Sequence, residues 1–578
     1  MQKLRVEDIN YLCLSYIRKT NYTKSIDVIG LDTEAYQTGQ CFMICTSHGD
    51  VYTPKDIPSF FFTRKYRNKK FVVYNIKYDE GALLQCLPMC NLNELRITNK
   101  TYYNGYKYTS IPKKMLKISK GKNSIELYDI AGFYKMSLNK AANKYLGERK
   151  LKEDTERFTK RYVKANWNKI AKYCIKDAVL TQQLAEVLIK KFEDYGVYPQ
   201  KLYSTAYVSW QYFKNTCDIP LIKNIWNNHK LCIQYAMDAY NGGKFEVTEK
   251  GIDKYYMYDI ISAYPYEIRN LVDISYAYVV HEKEYKKHSV YGFLLCDIYI
   301  PPEIYSPLAI KNGTLNIFPV GYIQKCITKQ EYEYLIKIGC DIKIMDAYWL
   351  ITADRKYPFR HEIDRLVKVK EKYKRNNQKL DYMIIKIFLN SLYGKFVQLV
   401  PQGDKWKAGY NWNIIYGSVI TANCRIRISD MQQKYNSVVA VHTDSIISTR
   451  PLNFPEEGKL GDMVLDTKGH GVIIGSGIYQ VGNKTKFRGF DTNIKLLDMI
   501  DIKSNKIEVV KRRPLSWREV AFHNWAASDI NHFLNIKKNV NINFDKKRIW
   551  IDDYKNFKEI KNRKVYSTPI PYFHFLNA

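Results

Sequence analysis

No stretch of ~18 uncharged apolar residues occurs in this 578-residue chain, and its start, MQKLRVEDINYL, lacks the apolar core of an export signal. Membrane insertion and export are therefore not expected, and a cytoplasmic location is. Internal repeats and low-complexity tracts are also missing, which argues against solenoids and fibres. Twelve cysteines are present, but the C-x3-C pairs Cys41/Cys45 and Cys86/Cys90 have no nearby partners, so the thiols read as reduced and those pairs as no zinc site. Acidic residues are scarce: 58 stand against 91 Lys plus Arg, a net charge of +33. A field of that sign draws polyanions and makes their binding salt-sensitive. Fifty tyrosines and 24 phenylalanines interleave with the charge, as in TYYNGYKY. Their faces can stack on unpaired bases, although most serve packing. The length leaves room for three or four domains.

Against this background the string KIFLNSLYGKF places Lys386, Asn390 and Tyr393 at helical spacings of four and three, on one face of a helix. A cation, an amide and a flat phenol along one stripe suit a polyphosphate at one end and a base or sugar at the other. Upstream, the apolar run of YDIISAYPYEI delivers Asp259, then Ser262, Tyr264 and Pro265 at a turn-like strand end. Downstream, VVAVHTDSIIST reads as a hairpin with His442, Thr443, Asp444 and Ser445 at its tip. A lone Asp at a strand end is usually a turn or cap residue; the order 259, 386, 444 is what argues for chemistry.

The amino-terminal third carries further carboxylates. SIDVIGLDTEAY sets Asp32 and Glu34 two apart on a strand, pointing the same way. Asn75, Tyr78 and Asp79 follow the apolar run FVVY, and YCIKDAVLTQQL puts Tyr173 and Asp177 one helical turn apart. Four crowded carboxylates repel one another unless cations lie between them, so such a cluster is a divalent-metal site.

The strings around Asp259, Lys386 and Asp444 resemble motifs A, B and C of family-B DNA polymerases, B matching at Lys386, Asn390, Ser391, Tyr393 and Gly394. The amino-terminal set resembles the three motifs of the DEDD exonucleases in their tyrosine form. The resemblance is closest to the protein-primed phage polymerases of the phi-29 group and runs from Asp32 to the region of Lys486. It implies an α/β multidomain fold: a ribonuclease-H-like 3′–5′ exonuclease domain over residues 1–200, then a right-hand polymerase. The palm would combine 201–270 with 399–525, the fingers 356–398 and the thumb 526–578. An insertion over 271–355, within the 127 residues between Asp259 and Lys386, would meet a terminal protein that supplies the priming hydroxyl.

The resemblance also implies residue roles. Asp259 and Asp444 would bridge two Mg²⁺ or Mn²⁺ ions, and Asp32, Glu34, Asp79 and Asp177 would hold two more, with Tyr173 orienting the attacking water. Lys386 would contact the dNTP triphosphate, Tyr264 would exclude a 2′-hydroxyl and Tyr393 would touch the nascent base pair. Lys374 resembles a second phosphate lysine, with a solvated charge run as the alternative. Asn75, Tyr78, Ser137 and Leu138 would meet single-stranded DNA; for Ser137 a helix cap reads equally well. Tyr240, Gly242 and Gly243 resemble a YxGG motif joining the two modules, where consecutive glycines let a backbone approach a bulky ligand, against a plain hairpin turn. Ser391, Gly394, Thr421, Arg425, Tyr479, Lys484 and Lys486 would contact primer-template DNA.

Three departures stand out. His442 occupies the place of an aspartate in motif C, Gly477 that of a lysine in a Lys-x-Tyr motif with Lys484, Lys486 and Arg488 close enough in sequence to substitute, and Cys424 that of a small residue. Only 27 residues separate Gly394 from Thr421, so a second, DNA-enclosing insertion is expected to be short. The expected function is template-directed DNA synthesis with proofreading on a linear phage or plasmid genome, by a monomer without membrane association, in the host cytoplasm if phage-encoded. Alternatives are a polymerase that extends ordinary primers, a DNA-binding protein with a decayed polymerase site, and a nuclease whose carboxy-terminal part only grips DNA.

Overall fold

The structure is a computed structural model that describes residues 4–12, 14, 16–54, 57–455, 457–489, 495–499 and 503–572. Two large sheets carry the chemistry-bearing strings. The amino-terminal sheet has eight strands in the order Val51–Tyr52, Cys41–Thr46, Val28–Ala35, Lys70–Val73, Asn123–Asp129, Met115–Lys120, Tyr106–Ile111, Lys100–Tyr103. Val28–Ala35 runs antiparallel to Cys41–Thr46 and parallel to Lys70–Val73. It is covered on both faces, which is why VIGLDTEA is nearly continuous in burial rather than alternating. The 27-residue helix Trp167–Glu193 crosses this strand. The crossing requires glycine at position 30, because a Cβ there would stand 1.9 Å from the Ala178 carbonyl oxygen. That close approach lowers Asp177 onto the strand bearing Asp32 and Glu34.

The second sheet is assembled from three distant stretches. Its order is Phe245–Val247, Val438–His442, Ser445–Ser448, Glu249–Ile260, Met463–Gly475, Ile478–Val481, Lys484–Phe487, and Val565–Thr568 returns to pair with Glu249–Ile260. The 21-residue helix Ile414–Lys434, capped by Asn413, packs behind it. Two antiparallel helices, Arg360–Arg375 and Lys379–Ser391, pack against the short helix Ala263–Arg269 that follows the central strand Glu249–Ile260, their turn made by Asn377 in the left-handed region.

Residues 278–351 form a separate four-stranded sheet, ordered Tyr278–His281, Asp341–Ile351, Tyr291–Ile300, Gly321–Thr328, with its own core. Where a short second insertion is expected, Leu399–Gln402 pairs with Lys405–Ala408 as a hairpin, flanked in parallel by Ile9–Asn10. A long hairpin, Lys506–Pro514 with Phe533–Asn541, carries at its end the helix Trp517–His523. Trp517 and Val520 are buried in the core of the amino-terminal sheet, and Arg518 donates to the Arg96 carbonyl and the Asn99 amide.

Two expected boundaries shift. The division at 525/526 cuts through this long hairpin, and residues 565–568 belong to the central sheet, because strand pairing here joins distant segments that local sequence does not connect. The division at 200/201 separates nothing: helices Thr205–Thr216, Lys223–Asn228 and Lys230–Ala239 share one apolar core with helix Trp167–Glu193, and sheet pairing begins only at Phe245. Tyr195 donates to Tyr373 at 2.8 Å and Lys191 pairs with Asp381 at 2.8 Å across this junction. Among the described residues no helix is long and apolar enough to cross a membrane.

Candidate active site

Asp259 ends one central strand and Asp444 lies in the two-residue tip of the neighbouring hairpin. Register pairs Asp259 with Ser445, and the Ile260 N–H donates to the Asp444 carbonyl at 2.8 Å, which sets the two carboxylates side by side. The tip is strained. Thr443 has φ +65°, a left-handed conformation disfavoured for a β-branched residue, and the Asp444 N–H donates to the His442 carbonyl two residues back. What holds it is the segment before Phe245: the Lys244 carbonyl accepts from the Thr443 N–H at 2.6 Å, and a Cβ on Gly243 would meet the Thr443 side chain at 2.6 Å. Gly243 is therefore spent on approaching Thr443 rather than a ligand, and the pair of glycines makes no hairpin turn; Gly242 stays open.

A third carboxylate joins them. Asp466 is the extra residue of a bulge, since Met257 faces Thr467 while Tyr258 faces Leu465. Its side chain pairs with Lys484 at 2.5 Å. Burial and the charges of Asp444 and Asp466 push Asp259 up to about 7, and burial raises Asp444 as well. Repulsion of this kind is what a bound cation relieves, and an all-oxygen donor set suits Mg²⁺ or Mn²⁺.

These carboxylates open onto a cavity of about 1420 Å³. Two helices add cations to its lining, Lys370, Lys374 and Arg375 from one and Lys386 from the other, together with Glu371 and the amide of Asn390. Lys370 reaches back to the Ser262 hydroxyl at 3.4 Å, and burial holds its ammonium below the ordinary lysine range. Tyr264 also lines the cavity and stacks on Tyr393, ring centres 4.5 Å apart, while the Tyr393 hydroxyl bonds that of Tyr240 at 2.9 Å. The expected single helix is broken: it ends at Ser391, and Tyr393–Phe396 forms a separate turn. Leu392 keeps helical torsions, so Tyr393 stays near the stripe while its ring turns to Tyr264. Ser391 is part-exposed and Gly394 exposed.

His442 is buried between Phe245 and Tyr479, ring centres 4.6 and 4.5 Å away, with neither ring nitrogen hydrogen-bonded in the protein. Burial, helped by Lys547 and Lys486, lowers it to about 3, so the ring stays neutral. Tyr479 is buried by this stack, and its phenol is pushed up to about 12 by burial, then by Asp466, Asp259 and Asp444. Lys486 faces Tyr479 across the strands, and the Arg488 side chain lies over Gly477.

In the amino-terminal sheet Asp32, Glu34, Asp79 and Asp177 come together as expected. Burial raises all four, Glu34 to about 8 and Asp79 to about 7; Asp32, well above its usual range, also feels Glu34, Asp177 and Asp79. Thr33 donates to Asp79 at 2.9 Å. Lys150 binds Asp177 at 2.5 Å and lies 5.1 Å above the Tyr173 ring. The Asp177 side chain is 97% buried, Lys150 and Tyr173 both hold its pKa down, and its other oxygen makes no close hydrogen bond, which leaves room there for a cation or a water. Tyr78 is part-exposed beside this cluster, and Asn75, left-handed at φ +76°, bonds Asp129 through its N–H.

Several expected DNA contacts are instead structural. Arg425 is fully buried: its guanidinium donates to the carbonyls of Pro307, Asn241 and Gly242 and to Glu331 at 2.6 Å. A guanidinium without water needs acceptors on every side, and these take up four of its five N–H donors inside the core, out of reach of a template. Thr421 is equally buried and returns its hydroxyl to Gly417 and Ser418. Leu138 belongs to the core, and Ser137 caps helix Leu138–Tyr145 through the Lys140 N–H. Sequence reading missed Lys150, Lys370 and Asp466. A loop, a charge run and a bulge carry no periodic signal.

Comparison with known proteins gives the family and the fold. The family described as DNA polymerase type B, organellar and viral, matches residues 62–405. A "Probable DNA polymerase" of Ascobolus immersus is 22% identical over 458 residues, 68% of this chain, and one of Podospora anserina is 27% identical over 159 residues, 27% of this chain. The chain spans 37% and 13% of the length of these relatives. Among solved structures, Phi29 DNA polymerase complexed with primer-template DNA and incoming nucleotide substrates superposes with a TM-score of 0.64 at 14% identity, covering 89% of this chain and 99% of that one. Phi29 DNA polymerase complexed with single-stranded DNA gives 0.62 at 15% identity, covering 89% and 100%.

Proposed function

Because the chain belongs to the organellar and viral type B DNA polymerases, we propose that it is a template-directed DNA polymerase with a 3′–5′ proofreading exonuclease, copying a linear phage or plasmid genome by protein priming. The observation that carries this reading is the pairing of Asp259 with Asp444 in a cavity of about 1420 Å³ that Lys370, Lys374, Lys386 and Asn390 also line. Carboxylates and cations lining one cavity are what a nucleoside triphosphate meeting a primer hydroxyl demands.

Asp259 and Asp444 would hold two Mg²⁺ or Mn²⁺ ions, with Asp466 beside them; such ions neutralise the triphosphate and lower the pKa of the attacking hydroxyl. Lys386 and Lys374 bind the phosphates. Tyr264, fixed by its stack on Tyr393, closes the space beside the sugar. Lys484, Lys486 and Arg488 offer positive charge to the primer backbone. The second sheet acts as the palm, the two antiparallel helices as fingers, and the long hairpin at 506–541 as thumb.

The amino-terminal sheet begins in the order third, second, first, fourth, with its last strand Asn123–Asp129 in the next place and the fifth to seventh beyond it, which supports a ribonuclease-H-like exonuclease. Asp32, Glu34, Asp79 and Asp177 would hold its two cations, Tyr173 and Lys150 orient the water, and exposed Asn75 meets the single strand. The sheet at 278–351 is the surface offered to a terminal protein. The test is primer extension by the full chain with labelled dNTP: incorporation should require both template and divalent cation, and incorporation that ignores template sequence would refute the reading.

A further inference from the structure

The thiol of Cys174 belongs to none of the roles above, yet it lies inside the amino-terminal carboxylate cluster. Cys174 follows Tyr173 on helix Trp167–Glu193, and its sulfur, a carboxylate oxygen of Asp32 and one of Glu34 all lie within 4.8 Å of one another. Among the described residues they are the only three His, Cys, Asp or Glu ligand atoms so closely grouped. The thiol is fully buried, donates to the Asp32 carbonyl at 3.5 Å and bonds Cys45, which faces Asp32 across the strands. A second observation points independently to a cation: the oxygen of buried Asp177 that makes no close hydrogen bond.

We propose that this cluster is also a soft-metal site, in which Cys174 supplies sulfur beside the oxygens of Asp32 and Glu34 and which takes Zn²⁺ or Cd²⁺. The proposal deepens the exonuclease reading and rests on it for its consequence, not for the binding itself. Mg²⁺ takes oxygen ligands and leaves a thiol unused, whereas Zn²⁺ and Cd²⁺ accept mixed oxygen and sulfur sets. On binding, the metal–sulfur bond replaces the S–H bond and the proton leaves to solvent. An ion drawn toward Cys174 displaces the pair that degradation needs. Thiophilic metals therefore silence degradation through Cys174, while synthesis, whose carboxylates are not grouped with a thiol in this way, continues.

The experiment titrates Cd²⁺ into the chelator-treated full chain and reads the ultraviolet cadmium–thiolate absorption, with Cys174→Ser, Cys174→Ala, Asp32→Asn and Cys90→Ser in parallel. One equivalent of absorption should vanish in both Cys174 variants, weaken in Asp32→Asn, and persist in Cys90→Ser, which removes an exposed thiol. Loss of the sulfur should weaken binding by at least the roughly 10- to 100-fold that losing an outer-shell partner costs a metal site. In the same preparations, Zn²⁺ added to Mg²⁺ should inhibit single-strand degradation at least tenfold less in Cys174→Ser than in wild type, with dNTP incorporation confirming that each variant is folded. Should the Cys174 variants misfold, the weakened band in Asp32→Asn decides. Unchanged absorption in the Cys174 and Asp32 variants, or equal Zn²⁺ sensitivity, would overturn the proposal. Wild type that degrades nothing in Mg²⁺ would refute the exonuclease reading and leave the absorption result to judge the metal site.

Discussion

The two carboxylate sites are mounted in opposite ways. At the amino-terminal site, Asp32 and Glu34 ride a strand packed on both faces, Asp177 arrives on a long helix, and Gly30 lets the two elements touch. At the carboxy-terminal site, Asp444 stands on a strained tip, kept there by Lys244 and Gly243, and faces a large cavity with Asp259 and Asp466. Each site has one lysine 2.5 Å from a carboxylate, Lys150 on Asp177 and Lys484 on Asp466. The difference is therefore in access rather than charge. Under the proposed function, the enclosed cluster would take one frayed strand end, and the open tip a duplex end with a nucleotide.

The largest effect that would break this comparison lies at the enclosed site. Asp32→Asn with Glu34→Gln should slow degradation of single-stranded DNA by roughly 10³-fold, the scale on which a preorganised charge acts in a dry site. A loss below tenfold would remove the cluster from catalysis.

Next comes the buried ion pair that ties helix Ile414–Lys434 to Glu331. Arg425→Met strands Glu331, itself buried, and should lower stability by about 3–5 kcal/mol in urea denaturation. Unchanged stability would return Arg425 to the pool of candidate template contacts.

The raised carboxylates sharpen the comparison through pH. A folded-state pKa above 4.5 means the native chain holds its proton more tightly than the unfolded one, so in chelator the stabilisation is complete below pH 4.5 and is lost as pH rises through about 8 for Glu34. Asp79 and Asp259, both near 7, add to the loss over the same window. The melting temperature should fall from pH 4.5 to 8 without divalent ions, and added Mg²⁺ should restore it most at the upper end. A melting temperature that rises across this window would contradict the assignment.

The smallest effect is expected at His442. As a neutral ring between Phe245 and Tyr479 it acts by packing, so His442→Phe should cost under about 1.5 kcal/mol of stability and under about tenfold of incorporation. Collapse to the level of an Asp444 variant would make the imidazole a ligand instead.

Much of both sites was legible because short strings carry them. Asp32 and Glu34 two apart on a strand, Tyr173 and Asp177 four apart on a helix, and Asp444 at a hairpin tip follow from local periodicity. Asp466 was not legible, since it reaches the site only through a bulge, nor was Lys150, which comes from a loop. Burial misled in the other direction: Arg425, Thr421 and Leu138 look available in sequence, yet Arg425 is enclosed by segments more than 90 residues distant, Thr421 bonds its own helix and Leu138 is packed in the core beside helix Trp167–Glu193. The return of residues 565–568 to the central sheet is likewise a long-range pairing without a local signature.

The most direct measurement of the central claim, two independent metal sites in one chain, is single-turnover primer extension and single-strand degradation by Asp259→Asn in one preparation. Extension should fall by roughly 10³-fold with degradation retained, because Asp259 and Asp32 stand on different sheets. Loss of both activities together, or extension that survives, would contradict it.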